Sequence, residues 1–455
     1  MTQEALAAEA IELHDENVAT ELSDLVEKLI EEAQRQGAHQ SSATVSDSIS
    51  VDVSARERDI ENIAYEQGRA FRVSVYVDHR EGTAVTSDVS DGAIRDTVAQ
   101  ALSIARFTEA DACNGLPDQD RLATEFPDLE QNFPQPVSIE QLKSDALSAD
   151  SASLDFDPCI MPANGASASQ TATCSVRGNS LGFINANRYT IYGRSATALA
   201  RSDAGMQTDY WFDQNCQFGR IESAEFIGRE AAQRALRRLN PRTVATGTYP
   251  VMYDRWTAPS LLYPLIDAIS GGNLYRQESY LQDSLNTQVA TSRMTLREYP
   301  HIRNRIQSRN CDADGVTTCE HTIIDSGVVN TYLLGTYSAR RLKLASTGHA
   351  GGVTNIHVEA DLTPIDELLN QMNQGLLVTS LIGSGTNLVT GDYSCGAAGF
   401  WVENGEIAYP VDNITIASNL DLMYKGIVGF GDDTQDRGTF KTGSILVSEM
   451  TVASN

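Results

Sequence analysis

The sequence predicts an α+β protein: an N-terminal antiparallel sheet with helices, followed by a C-terminal β-rich, barrel-like domain. Three observations carry this. Apolar and polar residues alternate with period two from Ile49 (ISVDVS) and from Phe71 (FRVSVYVDHREGTAVTS), the pattern of half-buried strands. Helical stripes with clear boundaries separate such runs in the first half. The second half carries hairpin signals at Ser326-Gly327 and Asn404-Gly405 and few helices. At 455 residues, 41% hydrophobic and 21% charged, the chain has a globular composition and is too long for one core. It divides into an acidic tail and helix (1–45), an α+β domain (46–240) and a β-rich domain (241–455).

Residues 1–19 are acidic and alanine-rich and read as a loose tail. From Leu22, apolar residues at Leu25, Val26, Leu29, Ile30 and Ala33 form one helical stripe, ended by Gly37. The strand from Phe71 is expected to turn back at Arg80-Glu81-Gly82. A helix follows from Ser90 to Phe107, with Ile94, Val98, Ala101, Leu102 and Ala105 inward. Residues 108–165 are rich in Asp, Pro and Ser, with a helix near 138–150, and 154–175 read as a loop insertion. Strand character returns from Gly193. The helix from Ser223 (SAEFIGREAAQRALRRLNP) is stopped by Asn240-Pro241, and RTVATGTYP reads as a linker.

In the second half, HTIIDSGVVNTYLL from His321 reads as a hairpin. The helix TPIDELLNQMNQG has Thr363 as expected N-cap, Pro364 in its first position, Asp366 and Glu367 in its first turn and Gly375 at its close. It buries Ile365, Leu368, Leu369 and Met372. Asn404-Gly405 suits a two-residue turn with positive φ twice.

Charge narrows the function classes. The 34 basic and 61 acidic residues give −27, a balance that repels phosphate backbones and argues against nucleic-acid binding. Arg234, Arg237, Arg238 and Arg242 read as the solvated face and end of a helix. No apolar run reaches the length of a membrane span. The first thirty residues carry acids where a secretory signal carries bases, so the expected location is the cytoplasm. Seven cysteines are expected as free thiols in a reducing compartment. Cys311 and Cys319 flank a turn-like CDADGVTTC and could pair on oxidation; no CxxC is present.

The chain has seven histidines, none in HExxH. His349 lies in STGHAGG, where glycines let backbone or ligand come close; a loop-packing histidine is the alternative. Cys395 lies among small residues in TGDYSCGAAGFWVENGEIAYP, and a Cys395–His349 thiolate–imidazole pair is one reading. No phosphate-binding GxxxxGK[ST] occurs. Asp392 and Glu403 are candidates for acid–base work or, alternatively, for turn capping and a solvated hairpin end.

STGHAGG, the run GLLVTSLIGSGTNLVTGDYSCGAAGFWVENGEIAYPVDNITIASNL and the terminal GSILVSEMTVA resemble the C-terminal domain of the TldD/PmbA family. GRAFRVSVYVDHREGTAVTSDVS, SIARFTEAD, VRGNSLG and IGREAAQRAL extend the resemblance from about Ile49 onward. It is closer to the PmbA (TldE) branch than to TldD. The resemblance implies a cytoplasmic protease system in which TldD and PmbA associate and trim unfolded or modified peptides, a microcin precursor and an antitoxin among them.

In the TldD branch an HExxxH helix supplies two zinc ligands and a general base, and a C-terminal cysteine supplies a third ligand. The corresponding stretch here is LLYPLIDAISGG from Leu261. Tyr263 and Pro264 replace the His-Glu pair, Ala268 the second histidine and Phe440 the cysteine. The resemblance therefore implies no catalytic residue and no metal in this chain, zinc in a TldD-like catalytic partner, and a hetero-oligomer, with a homodimer also open. His349, Asp392 and Tyr393 are the expected chamber or peptide-binding groups. Cys395 stands where relatives often carry Arg, and 394–399 read as a closely packed loop. Two alternatives stand beside this: a self-sufficient hydrolase using Cys395/His349 or an unrecognised metal, and a non-enzymatic regulator of another target such as DNA gyrase.

Overall fold

The computed structural model describes residues 16–135, 137–383 and 385–454. The tail expected over residues 1–19 lies outside this range as far as residue 15; from Glu16 the chain is helical. The chain divides into two compact units. The first is 1–237 with 303–306 and 313–317; the second is 238–302, 307–312 and 318–455.

In the first unit, α1 (Glu16–Arg35) is followed by β1 (Gln40–Arg56), β2 (Asp59–Val77), β3 (Arg80–Thr86) and α2 (Asp91–Phe107). Then come α3 (Ile139–Leu154), β4 (Ile160–Asn179), β5 (Ile184–Ser202), β6 (Gly205–Asn215) and α4 (Ala224–Arg237). Among the described residues the strands form one antiparallel sheet in the order β3-β2-β1-β4-β5-β6. Along β1 every second residue is buried, because the pleat sends alternate side chains to opposite faces. Ala43, Val45 and Phe71 meet Leu22, Val26 and Leu29 of α1 and Val98 of α2. Val51 and Val53 meet Ile139, Leu142 and Ala146 of α3. All these helices cover one face. The opposite face of β1 presents Ser42, Thr44, Ser46, Ser48 and Ser50.

Three local expectations change here. The β2–β3 turn is Asp78-His79, both at positive φ, not Arg80-Glu81-Gly82. Gly82 serves a different purpose: a Cβ there would lie 2.0 Å from the Ala101 carbonyl oxygen of α2. Residues 154–175 are not a loop insertion. After α3, the small polar run GASASQTATCSV belongs to β4, with Ala166, Ala168, Ala172, Cys174 and Val176 buried. Small side chains hid its alternation from a hydrophobicity reading.

The second unit runs β7 (Gly247–Tyr253), α5 (Ala258–Ala268), α6 (Gly271–Tyr275), β8 (Thr295–Glu298), β9 (His321–Asp325), β10 (Val328–Val329) and α7 (Thr336–Leu342). It continues with β11 (Ile356–Glu359), β12 (Leu362–Thr363), α8 (Ile365–Met372), β13 (Gly375–Ile382), β14 (Asp392–Glu403) and β15 (Glu406–Asn419). It ends with α9 (Leu420–Lys425), β16 (Ile427–Gly431), β17 (Phe440–Lys441) and β18 (Ile445–Ser454). β18-β15-β14-β13-β7 form a sheet that closes on itself through β18–β7 pairing, a five-stranded barrel as the sequence predicts. A second sheet has the order β10-β9-β8-β11-β17.

The hairpin turns fall at Ser326-Gly327 and Asn404-Gly405, each with two positive φ angles. Thr363 does not cap α8. It pairs with Gly431 in β12, and Pro364 takes the cap position. Residues 394–399 lie within β14 rather than in a loop. No helix among the described residues is long and apolar enough to cross a membrane.

Gly228 shows how closely the helices pack. A Cβ there would lie 2.0 Å from the Ala149 carbonyl oxygen of α3. Gly228→Ala is expected to destabilise by about 1–3 kcal/mol, although alanine favours a helix by about 1 kcal/mol. Gly219→Ala, with nothing within 4 Å of the added Cβ, is expected to leave the denaturant midpoint unchanged.

Candidate functional site

α5 carries three of the four positions assigned to the three missing zinc ligands and the missing general base. Asp254 fixes its start, its Oδ1 accepting from the Trp256 and Thr257 amides at 3.0 and 2.8 Å. The helix turns Leu261, Leu262, Leu265 and Ala268 into the core and leaves Tyr263 outside, 43% exposed. Pro264 is buried in the helix interior, where proline supplies no backbone donor. The fourth position, Phe440, is fully buried on β17, which pairs with β11 in parallel.

The fold brings the two ends of this set together. The Tyr263 and Phe440 rings lie edge to face, centroids 4.9 Å apart and planes at 87°, an arrangement worth about 0.5–1.5 kcal/mol beyond burial. Zinc sites need imidazole nitrogen, thiolate or carboxylate donors in tetrahedral array. A phenol, a phenyl ring, a proline and an alanine do not supply them, so these residues do not fit the metal. Among the described residues no group of three or more His, Cys, Asp or Glu side chains is placed to hold a metal ion. Trp256 sits half-buried in the turn before α5, with the Arg255 and Arg437 guanidinium groups 5.3 and 5.1 Å from its ring. The exposed Tyr263 ring of α5 offers a stacking surface, with the exposed Asp267 one turn further along the helix.

The other candidates sit elsewhere. Asp392 is exposed and closes a turn: Thr390 Oγ1 donates to its Oδ2 at 2.7 Å and Asn419 Nδ2 to its Oδ1 at 3.4 Å. Tyr393, two strand positions from Cys395, points into the barrel at 4% exposure and accepts from the Tyr253 hydroxyl at 3.3 Å. Burial pushes its phenol up to about 12. Cys395 is buried too. Its thiol donates to the Ile382 and Gly383 carbonyls at 3.4 and 3.3 Å, and burial raises its pKa.

His349 is buried under the second sheet. Its Nε2 lies 2.6 Å from Glu298 Oε2 and its Nδ1 2.9 Å from Thr347 Oγ1. The Cys395–His349 pair is therefore corrected: the thiol is committed to two carbonyls, the imidazole to a carboxylate and a hydroxyl. Glu403 is a hairpin-end acid, accepting from the Tyr409 hydroxyl at 3.2 Å. Cys311 and Cys319 form no disulfide with each other; the first is buried and the second exposed.

Sequence reasoning missed Glu298 and Trp256. Glu298 is 2% exposed and also accepts from the Thr354 amide and hydroxyl at 2.6 and 2.7 Å. Nothing in TLRE distinguishes it from a surface strand residue. Trp256 precedes the first helical residue, Ala258, so no periodicity marks it.

Burial alone would raise the Glu298 carboxyl; the His349 hydrogen bond and charge outweigh it and hold the carboxyl below 4.5. Burial, then the neighbouring His349, lowers the His321 imidazole below 6.5. In both cases the unfolded chain binds the proton more tightly, so stability falls as pH falls. We expect one loss of melting temperature to begin below about pH 6.5, smaller in His321→Phe because burial lowers His301 as well, and a second below about 4.5 as Glu298 takes its proton. His349→Gln, which takes the imidazole hydrogen bond from the buried Glu298 carboxylate, is expected to cost about 1–3 kcal/mol. Glu298→Leu combined with His349→Leu is expected to recover part of that loss, read from denaturant midpoints.

Three family models match the chain. They are described as PmbA/TldA metallopeptidase domain 1 over residues 43–105, central domain over 132–239 and C-terminal domain over 246–454. A Haemophilus influenzae protein named metalloprotease PmbA homolog is 38% identical over 436 residues, 96% of each chain. A crystal structure of a candidate modulator of DNA gyrase from Bacteroides thetaiotaomicron superimposes with TM-score 0.89 at 25% identity, over 95% of this chain and 98% of that one. TldE from Thermococcus kodakarensis shares the fold, with TM-score 0.80 at 17% identity over 94% of this chain and all of its own. The chain belongs to the PmbA/TldD metallopeptidase family.

Proposed function

We propose that this chain is the PmbA/TldE-type subunit of a cytoplasmic two-component zinc metalloprotease. A TldD-like partner holds the zinc, and this subunit serves assembly and the binding of unfolded or modified peptides. The observation that supports the division of labour is the Tyr263–Phe440 ring pair, with Pro264 and Ala268 buried beside it, at the positions where the resemblance places metal ligands and a base. Zinc in the partner would polarise the scissile carbonyl and lower the pKa of its bound water. This chain contributes the exposed Tyr263 ring and the half-buried Trp256–Arg437 stack, groups suited to side-chain stacking.

The test is hydrolysis of an unfolded reporter peptide by this chain alone, with a TldD-like partner, and with a partner whose HExxxH glutamate is replaced. The lone chain is expected to be inactive and to retain far less than stoichiometric zinc after purification. The intact pair is expected to cleave and the pair with the altered partner to be silent. Cys395→Ala is expected to leave the pair's rate unchanged. Turnover by the lone, chelator-treated chain would sink the division of labour.

A further inference from the structure

The face of the first unit's sheet that its helices leave uncovered ends in a cavity of about 270 Å³. Ser42 and Thr44 of β1 and Ser74 of β2 line it. Thr44 lies directly opposite Arg72 on one side and Arg177 on the other. Neighbouring strands are about 4.8 Å apart, so the two arginine backbones flank the threonine at roughly 10 Å from each other. Arg177 Nε donates to Thr44 Oγ1 at 3.5 Å. Arg72 is exposed, and among the described residues it makes no hydrogen bond or ion pair.

The other wall is acidic. Glu81 lies opposite Tyr76, whose hydroxyl donates to its Oε1 at 3.5 Å. Burial, and further down the balance the nearby Asp314 charge, hold the Glu81 carboxyl above its usual range, while Arg72 pulls it down. Both arginines and both carboxylates line the same cavity.

A simple anion here would meet the two arginines but also face two carboxylates. A simple cation would do the reverse. A molecule with an ammonium and a carboxylate on a short spacer matches the sign of charge on both walls. At roughly 30 Å³ per water the cavity holds about nine water-sized atoms, the size of glycylglycine. We propose that this cavity binds a small zwitterion, an amino acid or dipeptide. Its carboxylate sits between Arg72 and Arg177 against the Thr44 hydroxyl, and its ammonium sits at Glu81 and Asp314. The site stands on the first unit alone and does not depend on the peptidase reading.

Calorimetric titration of the full chain tests it, with glycine, glycylglycine, N-acetylglycylglycine, glycylglycinamide and inorganic phosphate as probes. Glycylglycine or glycine is expected to bind, and each end-blocked form at least about tenfold more weakly. Arg72→Gln is expected to abolish the preference for the free acid over the amide, and Glu81→Gln the preference for the free amine over the acetylated form. The blocked-ligand comparison needs no variant, so a variant that misfolds does not spoil it. Absence of binding by both zwitterions, equal binding of blocked and free forms, or phosphate binding as tightly as the zwitterions would each overturn the proposal.

Discussion

The second unit depends on one pairing, β18 against β7. β18 bonds to β15 and β16 and, along Ile445–Val452, to β7. That pairing turns an open sheet into a closed barrel with no free edge in its ring. The enclosed side chains, including Tyr253, Tyr393 and Cys395, then share one core with α5 and α9. The Tyr424 hydroxyl of α9 donates to the Leu261 carbonyl of α5 at 2.9 Å. With its apolar side held in that core, α5 can only present Tyr263 outward.

The consequence for chemistry is a fold that keeps positions and changes donors. Tyr263 and Phe440 are distant in sequence and adjacent in space, held by a helix after β7 and a strand beside β11. Where a metal site would use lone pairs, this chain uses ring quadrupoles, which attract cations and apolar groups but do not hold zinc. A fold shared with proteases is thus not in itself a protease site. The buried Glu298–His349 pair belongs to a different task. It clamps the 346–354 segment onto β8, and its burial makes it a structural group rather than one facing a peptide.

Much of the fold was legible because it rests on local rules. α2, the hairpins at Ser326 and Asn404 and the stripe of α1 follow from periodicity and from residues that tolerate positive φ. β4 was missed because alanine, serine and threonine carry too little hydrophobic contrast to betray a period of two. The 394–399 stretch was misread for a related reason: its small residues suggest a loop, yet Gly399 is required within the strand, where a Cβ would lie 1.9 Å from the Leu377 carbonyl oxygen. Of the site, the replaced ligand positions were readable by resemblance. The burial of His349 and Tyr393 was not, since it comes from partners far away in sequence.

The closure of the barrel by β18 also has a consequence for birth on the ribosome. The first unit has its whole sheet within one continuous stretch and can condense as it emerges, apart from two short segments supplied later. β7 must wait for about 190 further residues before its closing neighbour exists, an interval of roughly ten seconds or more at bacterial elongation rates. Through that interval its apolar strand edge stands uncovered, so the nascent second half is the part of this chain with most need of a chaperone.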